Sequence, residues 1–311
     1  MVLIHERVST LEKEVSIIAG PSSYDLATKI AKDLDAELVP VDVRIFIDGE
    51  SKIKMNKVES KYCIIVQSTY PPVDRHLLQA LMIIKKCTDC RALNLCTVIP
   101  YMAYARQDRA FVEGEVVSIA LVAKLLETVG TKQLMTVDIH SSLALSHFTI
   151  DVQNVSSIPL LAKYAADNIK LSKPIVVSPD SGGIKRAEEF AKFLRLDAIA
   201  LKKARDRSTG EVYIDEKLDS SIVDRDVILV DDMISSGDSI IKACKVLKKN
   251  RSGKIYVMCA HALLIGDAIQ KIKASGVEEI IATNSIPSKW AKVDLSPIIS
   301  ANLRALIHSK D

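Results

Sequence analysis

The sequence predicts an α/β protein made of two similar doubly wound parallel-sheet domains. Short β-branched runs alternate with amphipathic stretches along the chain, the pattern of parallel strands with helices on both sheet faces. The 311 residues fill about two ordinary domain lengths. Both halves repeat one layout of elements without sharing letters, and no Pro- or Gly-rich linker divides them.

The elements follow in order. VSIIAG (15–20) is a β-branched run closed by glycine, and 22–34 then carries apolar positions three and four apart, as a helix buried on one side requires. YCIIVQS (62–68) with helix 74–87, and ALNLCTVIP (92–100) with helix 116–129, repeat the unit. LMTVDIH (134–140) closes the first series. Helix 158–171, PIVVSPD (174–180) and helix 184–195 open the second, followed by AIALKKA (198–204). VILVDDM (227–233) with helix 236–249, IYVMCAHALL (255–264) with helix 266–275, and EIIATN (279–284) complete it. DVQNVSSIP, near 150–157, is the best boundary. It gives domains 1–150 and 151–295, with a last helix, 296–308, packing on the first domain.

Composition excludes several classes. The fractions of 48% hydrophobic and 26% charged residues are those of a folded globular chain. A net charge of +3 and 5% aromatic residues argue against a nucleic-acid surface, which needs a basic face and stacking platforms. No apolar run reaches about 18 residues, so no membrane span is expected. The N-terminal MVLIHERVSTLEKE has early acids and no apolar centre, unlike a secretory signal. Six cysteines are too few for a disulfide framework, so a cytoplasmic protein is expected. Cys87 and Cys90 form a lone CxxC without a second pair at zinc spacing, and buried thiols at a helix end, with Cys96 in the next strand, are the simpler reading.

Ligands of open α/β sheets sit beyond the carboxyl ends of strands, so the residues after each apolar run carry the chemistry. In VILVDDMISSGDS, Asp231 and Asp232 end a strand, and Ser235, Ser236, Gly237, Asp238 and Ser239 form a turn that opens a helix. Free amides at a helix start hold a phosphate, and carboxylates accept sugar hydroxyls, so the pair suits a pentose phosphate. A helix cap beside solvated acids would give the same letters. In IVVSPDSGG, Asp180 precedes Gly182 and Gly183, which fits a phosphate turn or a metal carboxylate. In MTVDIHSS, Asp138 and His140 lie at a strand end, where a histidine is either a ligand or a structural hydrogen-bonding group. Arg106, Gln107, Asp108 and Arg109 crowd one loop, either as phosphate-binding forks or as a surface salt-bridge loop. Lys202, Lys203, Arg205 and Arg207, followed by Gly210, make a basic loop able to close over an anionic transition state or simply to be solvated. GxxxxGK[ST], GxGxxG, GxSxG and HExxH are all missing from the sequence.

Taken together, FIDGE (46–50), PYMAYARQDRAF, the DxH at 138–140, SPDSGG, the KxR of the basic loop and VILVDDMISSGDS resemble the ribose-phosphate diphosphokinase (PRPP synthetase) family over nearly the whole chain. The resemblance implies a phosphoribosyltransferase-like fold and a Mg²⁺-dependent transfer of the β,γ-diphosphoryl group of ATP to the anomeric hydroxyl of ribose 5-phosphate, giving PRPP and AMP. It implies that Phe46, Asp48 and Glu50 help hold adenine, in the family from a neighbouring subunit, and that Arg106, Gln107 and Asp108 contact ATP. His140 and Asp180 would hold magnesium directly or through water. Lys203 and Arg205 would close over the transferred group, Arg205 also touching ribose 5-phosphate. Asp231, with Asp232 beside it, would bind the ribose hydroxyls, and residues 235–239 the 5-phosphate. A homo-oligomer, dimer or hexamer, is implied. A non-catalytic regulatory subunit of the same fold, and a phosphoribosyltransferase sharing the 231–239 loop, are the alternatives; the second leaves FIDGE and the ARQDR loop unexplained.

Two segments depart from the family pattern. Ser236-Gly237-Asp238-Ser239 stands where Thr-Gly-Gly-Thr is usual, and Leu143 to Phe148 replaces a Gln-Ile-Gln-Gly-Phe-Phe run. An acid beside a phosphate costs electrostatic energy unless it points away or caps the helix. Replacing Asp238 with Gly is therefore expected to tighten ribose 5-phosphate binding if the acid repels it.

Overall fold

A computed structural model describes residues 15–58, 62–92, 94–201 and 222–308, and the backbone of 203–205 and 212–214. The chain divides into two units, one of residues 1–155, 285–287 and 294–311, the other of 156–284 and 288–293.

The first unit contains β1 (Val15–Ala19), α1 (Tyr24–Leu34), β2 (Glu37–Ile45), β3 (Ser51–Met55), β4 (Tyr62–Val66), α2 (Val73–Asp89), β5 (Asn94–Ile99), α3 (Ser118–Val129), β6 (Gln133–Val137), the short α4 (Ser142–Leu145) and β7 (Asp151–Val155). Its seven-stranded sheet runs β3-β2-β1-β4-β5-β6-β7, parallel except for β3, which pairs antiparallel with β2. β1, β4 and β6 are buried along their whole length because both faces are covered. On one face Ile65, Leu95 and Leu134 pack against Ile83 and Ile84 of α2 and Ile119 and Leu126 of α3.

The second unit holds α5 (Ile158–Asn168), β8 (Ile175–Ser178), a 3₁₀ turn at Ser181–Gly183, α6 (Ile184–Leu194), β9 (Ala198–Ala200), β10 (Lys203–Arg205), β11 (Val212–Ile214), β12 (Val227–Ile234), α7 (Asp238–Lys249), β13 (Ile255–Ala262), α8 (Ala268–Ala274), β14 (Val277–Thr283) and β15 (Ala291–Val293). Its parallel sheet runs β15-β14-β13-β12-β8-β9, and β10 and β11 form a separate antiparallel pair. The strand period divides the core into two layers. Val177, Leu229 and Val257 face Cys244 and Leu247 of α7, whereas Val176, Ile228 and Val230 face Ala187 and Phe190 of α6. Phe190 is fully buried, worth about 1.5–3 kcal/mol of apolar transfer.

The last helix, α9 (Ser296–His308), lies in the first unit against α1: Ser300 Oγ bonds Asp33 Oδ2 at 3.2 Å, and Lys29 Nζ meets Asp294 at 2.8 Å.

The structure corrects several sequence expectations. The segment 151–155 is β7, paired with β6, so it belongs to the first unit rather than the second. The segment 285–287 also belongs to the first unit, where Ser285 O accepts from Ser68 Oγ at 2.6 Å. The expected strand 134–140 ends at Val137, because Asp138 turns to φ +38 and leaves Asp138 and His140 in the following loop. The expected strand 198–204 is broken: β9 ends at Ala200, Leu201 is wholly buried, and β10 begins a different sheet. The two sheets also differ in strand number and order. Cys87 sits buried in the last turn of α2, Cys90 follows it half-buried, and Cys96 is buried in β5. Among the described residues, no helix is long and apolar enough to cross a membrane.

Candidate active site

In the second unit the strand order reverses between β8 and β12, the point where open α/β sheets bind ligands. β8 pairs with β12 only over 175–177 and 227–229. Beyond that, β12 continues alone on this side through Asp231 and Asp232, beside the turn that follows β8. Ser178 Oγ donates to Asp180 O at 2.7 Å, and Asp180 Oδ1 accepts the Gly182 N–H at 2.9 Å. Gly183 lies so close to Ser178 that a Cβ there would come within 2.4 Å of its Oγ. Glycine at this position lets α6 start directly against the strand end.

Arg186, in the first turn of α6, reaches the acid doublet: its Nη1 is 3.5 Å from Asp231 Oδ1 and 3.7 Å from Asp232 Oδ1. Asp232 is buried, and its N–H donates to Asp231 Oδ1 at 2.9 Å. Burial pushes the Asp231 carboxyl well above the usual range, Asp232 pushes it further, and Arg186 pulls it back. After Ile234, the chain turns through Ser235, Ser236 and Gly237, and α7 begins at Asp238. Gly237 has φ +82 and packs against Ile272 of α8. The turn leaves the first-turn amides of α7 without intrahelical acceptors, with Ser236, Asp238 and Ser239 exposed beside them. Asp238 Oδ2 accepts from Ser236 Oγ at 2.8 Å, so the unusual acid is bound into the turn.

Lys203 and Arg205 lie on β10, paired with Ile214 and Val212 of β11. Lys202, Arg207 and Gly210 lie outside the described residues.

In the first unit the candidate residues follow β5, β6 and β2. The loop after β5 is tied down by the segment after β4: Thr69 Oγ1 donates to Tyr101 O at 2.9 Å and accepts the Ala103 N–H at 2.8 Å. Arg106 is exposed, Gln107 half-buried and Asp108 buried. Arg109 is engaged locally, 3.7 Å from Asp108 Oδ1 and 5.3 Å over the Phe111 ring. Glu115 pins the far side of the loop. One of its oxygens, Oε2, accepts the Phe111 and Val112 N–H groups at 2.7 and 3.2 Å and Gln107 Nε2 at 3.1 Å. These bonds hold the exposed Glu115 carboxyl below the ordinary range. His147 Nε2 lies 2.7 Å from Asp108 O, which joins this loop to the segment following DxH. His140 is exposed after β6, the strand next to β5.

Phe46, Asp48 and Glu50 lie apart from that group, on the β2–β3 turn three strands from β5. Phe46 N donates to Glu50 O at 2.9 Å, Asp48 Oδ1 accepts the Glu50 N–H at 3.1 Å, and the Arg44 guanidinium lies 5.1 Å over the Phe46 ring. The turn is exposed throughout.

Sequence patterns passed over Arg186 and Glu115. Arg186 stands one helical turn past Gly182, which was its available signal. Glu115 carried none, since its partners are mostly backbone amides.

Of the two residues expected to hold magnesium, Asp180 offers the carboxylate oxygens that this hard cation takes, and His140 offers an imidazole that would meet it through water. Mg²⁺ keeps several waters and takes few protein ligands when phosphates supply the rest. Among the described residues, no group of three or more His, Cys, Asp or Glu side chains forms a closed metal cage.

Comparison with known proteins gives a consistent result. A family model described as the N-terminal domain of ribose phosphate pyrophosphokinase matches residues 15–130, and one described as a phosphoribosyl synthetase-associated domain matches 217–310. Ribose-phosphate pyrophosphokinase of Sulfurisphaera tokodaii is 34% identical over 92% of this chain and 99% of its own. That of Methanopyrus kandleri is 34% identical over 91% and 97%. The crystal structure of phosphoribosylpyrophosphate synthetase from Mycobacterium smegmatis superposes with a TM-score of 0.83 at 27% identity, covering 96% of this chain and 100% of the other. With an acid doublet and an open helix start at the strand-order reversal, and with relatives matched nearly end to end, the chain belongs to the ribose-phosphate pyrophosphokinase family of enzymes.

Proposed function

We propose that this enzyme transfers the β,γ-diphosphoryl group of ATP to the anomeric hydroxyl of ribose 5-phosphate, forming PRPP and AMP. The observation that carries this reading is the β12–α7 segment, where two carboxylates at the end of the strand are followed, after one short turn, by a helix start. Such a segment offers acceptors for two sugar hydroxyls and donors for a phosphate. The anomeric oxygen attacks the β-phosphorus, its bond to the leaving AMP oxygen breaks, and the hydroxyl proton is lost to solvent.

In this reading Asp231 and Asp232 take the ribose hydroxyls, and residues 235–239 take the 5-phosphate. Arg106, Gln107 and Asp108 hold ATP, and Phe46, Asp48 and Glu50 hold adenine across a subunit boundary of a homo-oligomer, dimer or hexamer. Lys203 and Arg205 meet the charge that grows on the moving phosphoryl oxygens, since this chemistry needs positioning and neutralisation more than a covalent nucleophile. His140 and Asp180 would hold Mg²⁺, which when bound supplies charge neutralisation across the phosphates. The enzyme works in the cytoplasm.

The direct test supplies ATP, Mg²⁺ and ribose 5-phosphate and follows nucleotides and sugar phosphates together. Equimolar AMP and PRPP are expected; ADP as the nucleotide product, or no product, refutes the reaction. Asp238 gives a finer test. Asp238→Asn keeps an acceptor for the Ser236 hydroxyl and removes the charge beside the phosphate. It is expected to lower KM for ribose 5-phosphate by roughly three- to tenfold, about the strength of a partly exposed charge contact. A KM that stays or rises shows that the carboxylate's bond to Ser236 matters more than its repulsion.

A further inference from the structure

We propose that Glu115 is a positioning residue for the nucleotide, a carboxylate that fixes the Gln107 side chain and the loop beyond it in the shape that receives ATP. This rests on the reading that Arg106, Gln107 and Asp108 hold ATP.

The near end of the loop is held by other groups. The Gln107 N–H donates to Tyr104 O at 3.0 Å, and the Gln107 carbonyl accepts the Ile119 N–H at 3.4 Å from the first turn of α3. Asp108 O accepts from His147 Nε2 at 2.7 Å. The far end has no such apolar or helical anchor. Phe111 is 60% and Val112 65% exposed, so their side chains bury too little to fix the backbone there. Glu115 closes that end. Its Oε2 takes the Phe111 N–H at 2.7 Å, the Val112 N–H at 3.2 Å and Gln107 Nε2 at 3.1 Å. Its own N–H donates back to Val112 O at 3.3 Å. One oxygen thus joins a loop side chain to two backbone amides.

The chemistry of that oxygen also orients the Gln107 amide. Nε2 of Gln107 faces Glu115 Oε2 at 3.1 Å and Arg109 O at 3.4 Å. Carboxylate and carbonyl oxygens only accept, so the amide must turn its NH₂ toward them. Its Oε1 is then turned away from both, as an acceptor for a hydroxyl or amino group of the nucleotide. The three bonds favour the ionised acid and hold it below its ordinary range, so at neutral pH Glu115 accepts and does not donate. Without it the amide would be free to flip, and the span from Arg109 to Val112 would lose the bonds that close it.

Steady-state constants of the parent, Glu115→Ala, Glu115→Gln, Gln107→Ala, Arg106→Ala and the double variant Glu115→Ala with Gln107→Ala, each varied in both substrates, test this. Glu115→Ala is expected to raise KM for ATP by about five- to tenfold, the worth of one hydrogen bond to a charged group. KM for ribose 5-phosphate should stay within about twofold and kcat within about threefold. Glu115→Gln keeps a carbonyl acceptor without the charge, so it should fall between the parent and Glu115→Ala. In the double variant the rise should fall short of the product of the two single rises, because Glu115 acts partly through Gln107. If Gln107→Ala raises KM for ATP while Glu115→Ala leaves it at the parental value, the role of Glu115 is refuted and the ATP reading of the loop stands. If Arg106→Ala and Gln107→Ala both leave that KM unchanged, the ATP reading falls and this inference falls with it. Full multiplication in the double variant, equal changes in both KM values, or a loss confined to kcat overturns the proposal. If Glu115→Ala does not fold, Glu115→Gln decides alone: a rise of about twofold or more confined to KM for ATP supports the role, and a parental value overturns it.

Discussion

Lys203→Ala is expected to lower kcat by roughly 30- to 1000-fold, about 2–4 kcal/mol, with both KM values close to the parent's. The reasoning concerns where charge develops. In the proposed reaction ATP would arrive with its negative charge largely neutralised by basic side chains and by the metal that His140 and Asp180 would hold. As the bond between the α,β-bridging oxygen and the β-phosphorus stretched in that reaction, charge would move onto the leaving oxygen and the phosphoryl oxygens. A cation that meets this charge only as it forms lowers the barrier without tightening either substrate, and its removal shows in kcat. A cation that holds ground-state ATP would instead show in KM. Equal activity in mutant and parent removes Lys203 from the mechanism. A rise in KM for ATP with kcat unchanged turns it into a binding residue. The backbone hydrogen bonding of β10 to β11 is independent of the side chain, so the strand pair is expected to survive the substitution.

The parts of the fold that the sequence made legible are those buried on both sides. β8 and β12 read as apolar runs because helices cover both of their faces, and the acids and glycines that follow them stood out for that reason. The strands that escaped notice lie at edges or carry polar faces. β2 contains Pro40, which argues against a strand in a sequence, yet here Pro40 sits opposite Ala19 in a parallel ladder, and much of β2 beyond it is exposed. β7 is DVQNV, a partly exposed edge strand with no apolar run to announce it. β15 is only three residues long. The same division holds in the candidate site. Asp231, Asp232 and Gly237 are consecutive signals along one strand–turn–helix. Arg186 belongs with them only because α6 is folded back across the end of β12, a tertiary contact between residues 45 apart in sequence that no local spacing encodes.

Gly237→Ala carries the second large effect, and it separates folding from function. Gly237 sits at φ +82, where an L side chain is strained at about 1–2 kcal/mol. A Cβ there would also lie 2.8 Å from Ile272 Cδ1 and 2.9 Å from its Cγ1, and Ile272 is fully buried in the α7–α8 layer, with little room to retreat. Strain and overpacking together are expected to cost about 2–4 kcal/mol of unfolding free energy, read as a lower urea midpoint with an unchanged slope. Gly266 is the control. It also has positive φ, +63, but nothing lies within 4 Å of a Cβ placed there, so Gly266→Ala should cost only the conformational part. The functional consequence is specific as well. Relieving the clash requires moving either α8 or the turn that opens α7, and moving the turn re-aims the amides that would receive the 5-phosphate. The folded fraction of Gly237→Ala is therefore expected to show a KM for ribose 5-phosphate raised by about tenfold or more, with KM for ATP near the parental value. If Gly237→Ala unfolds at the parental midpoint, the close packing against Ile272 does not hold in solution. If it is destabilised but binds ribose 5-phosphate as the parent does, the strain is absorbed in α8 and the turn at 235–239 is not what grips the phosphate.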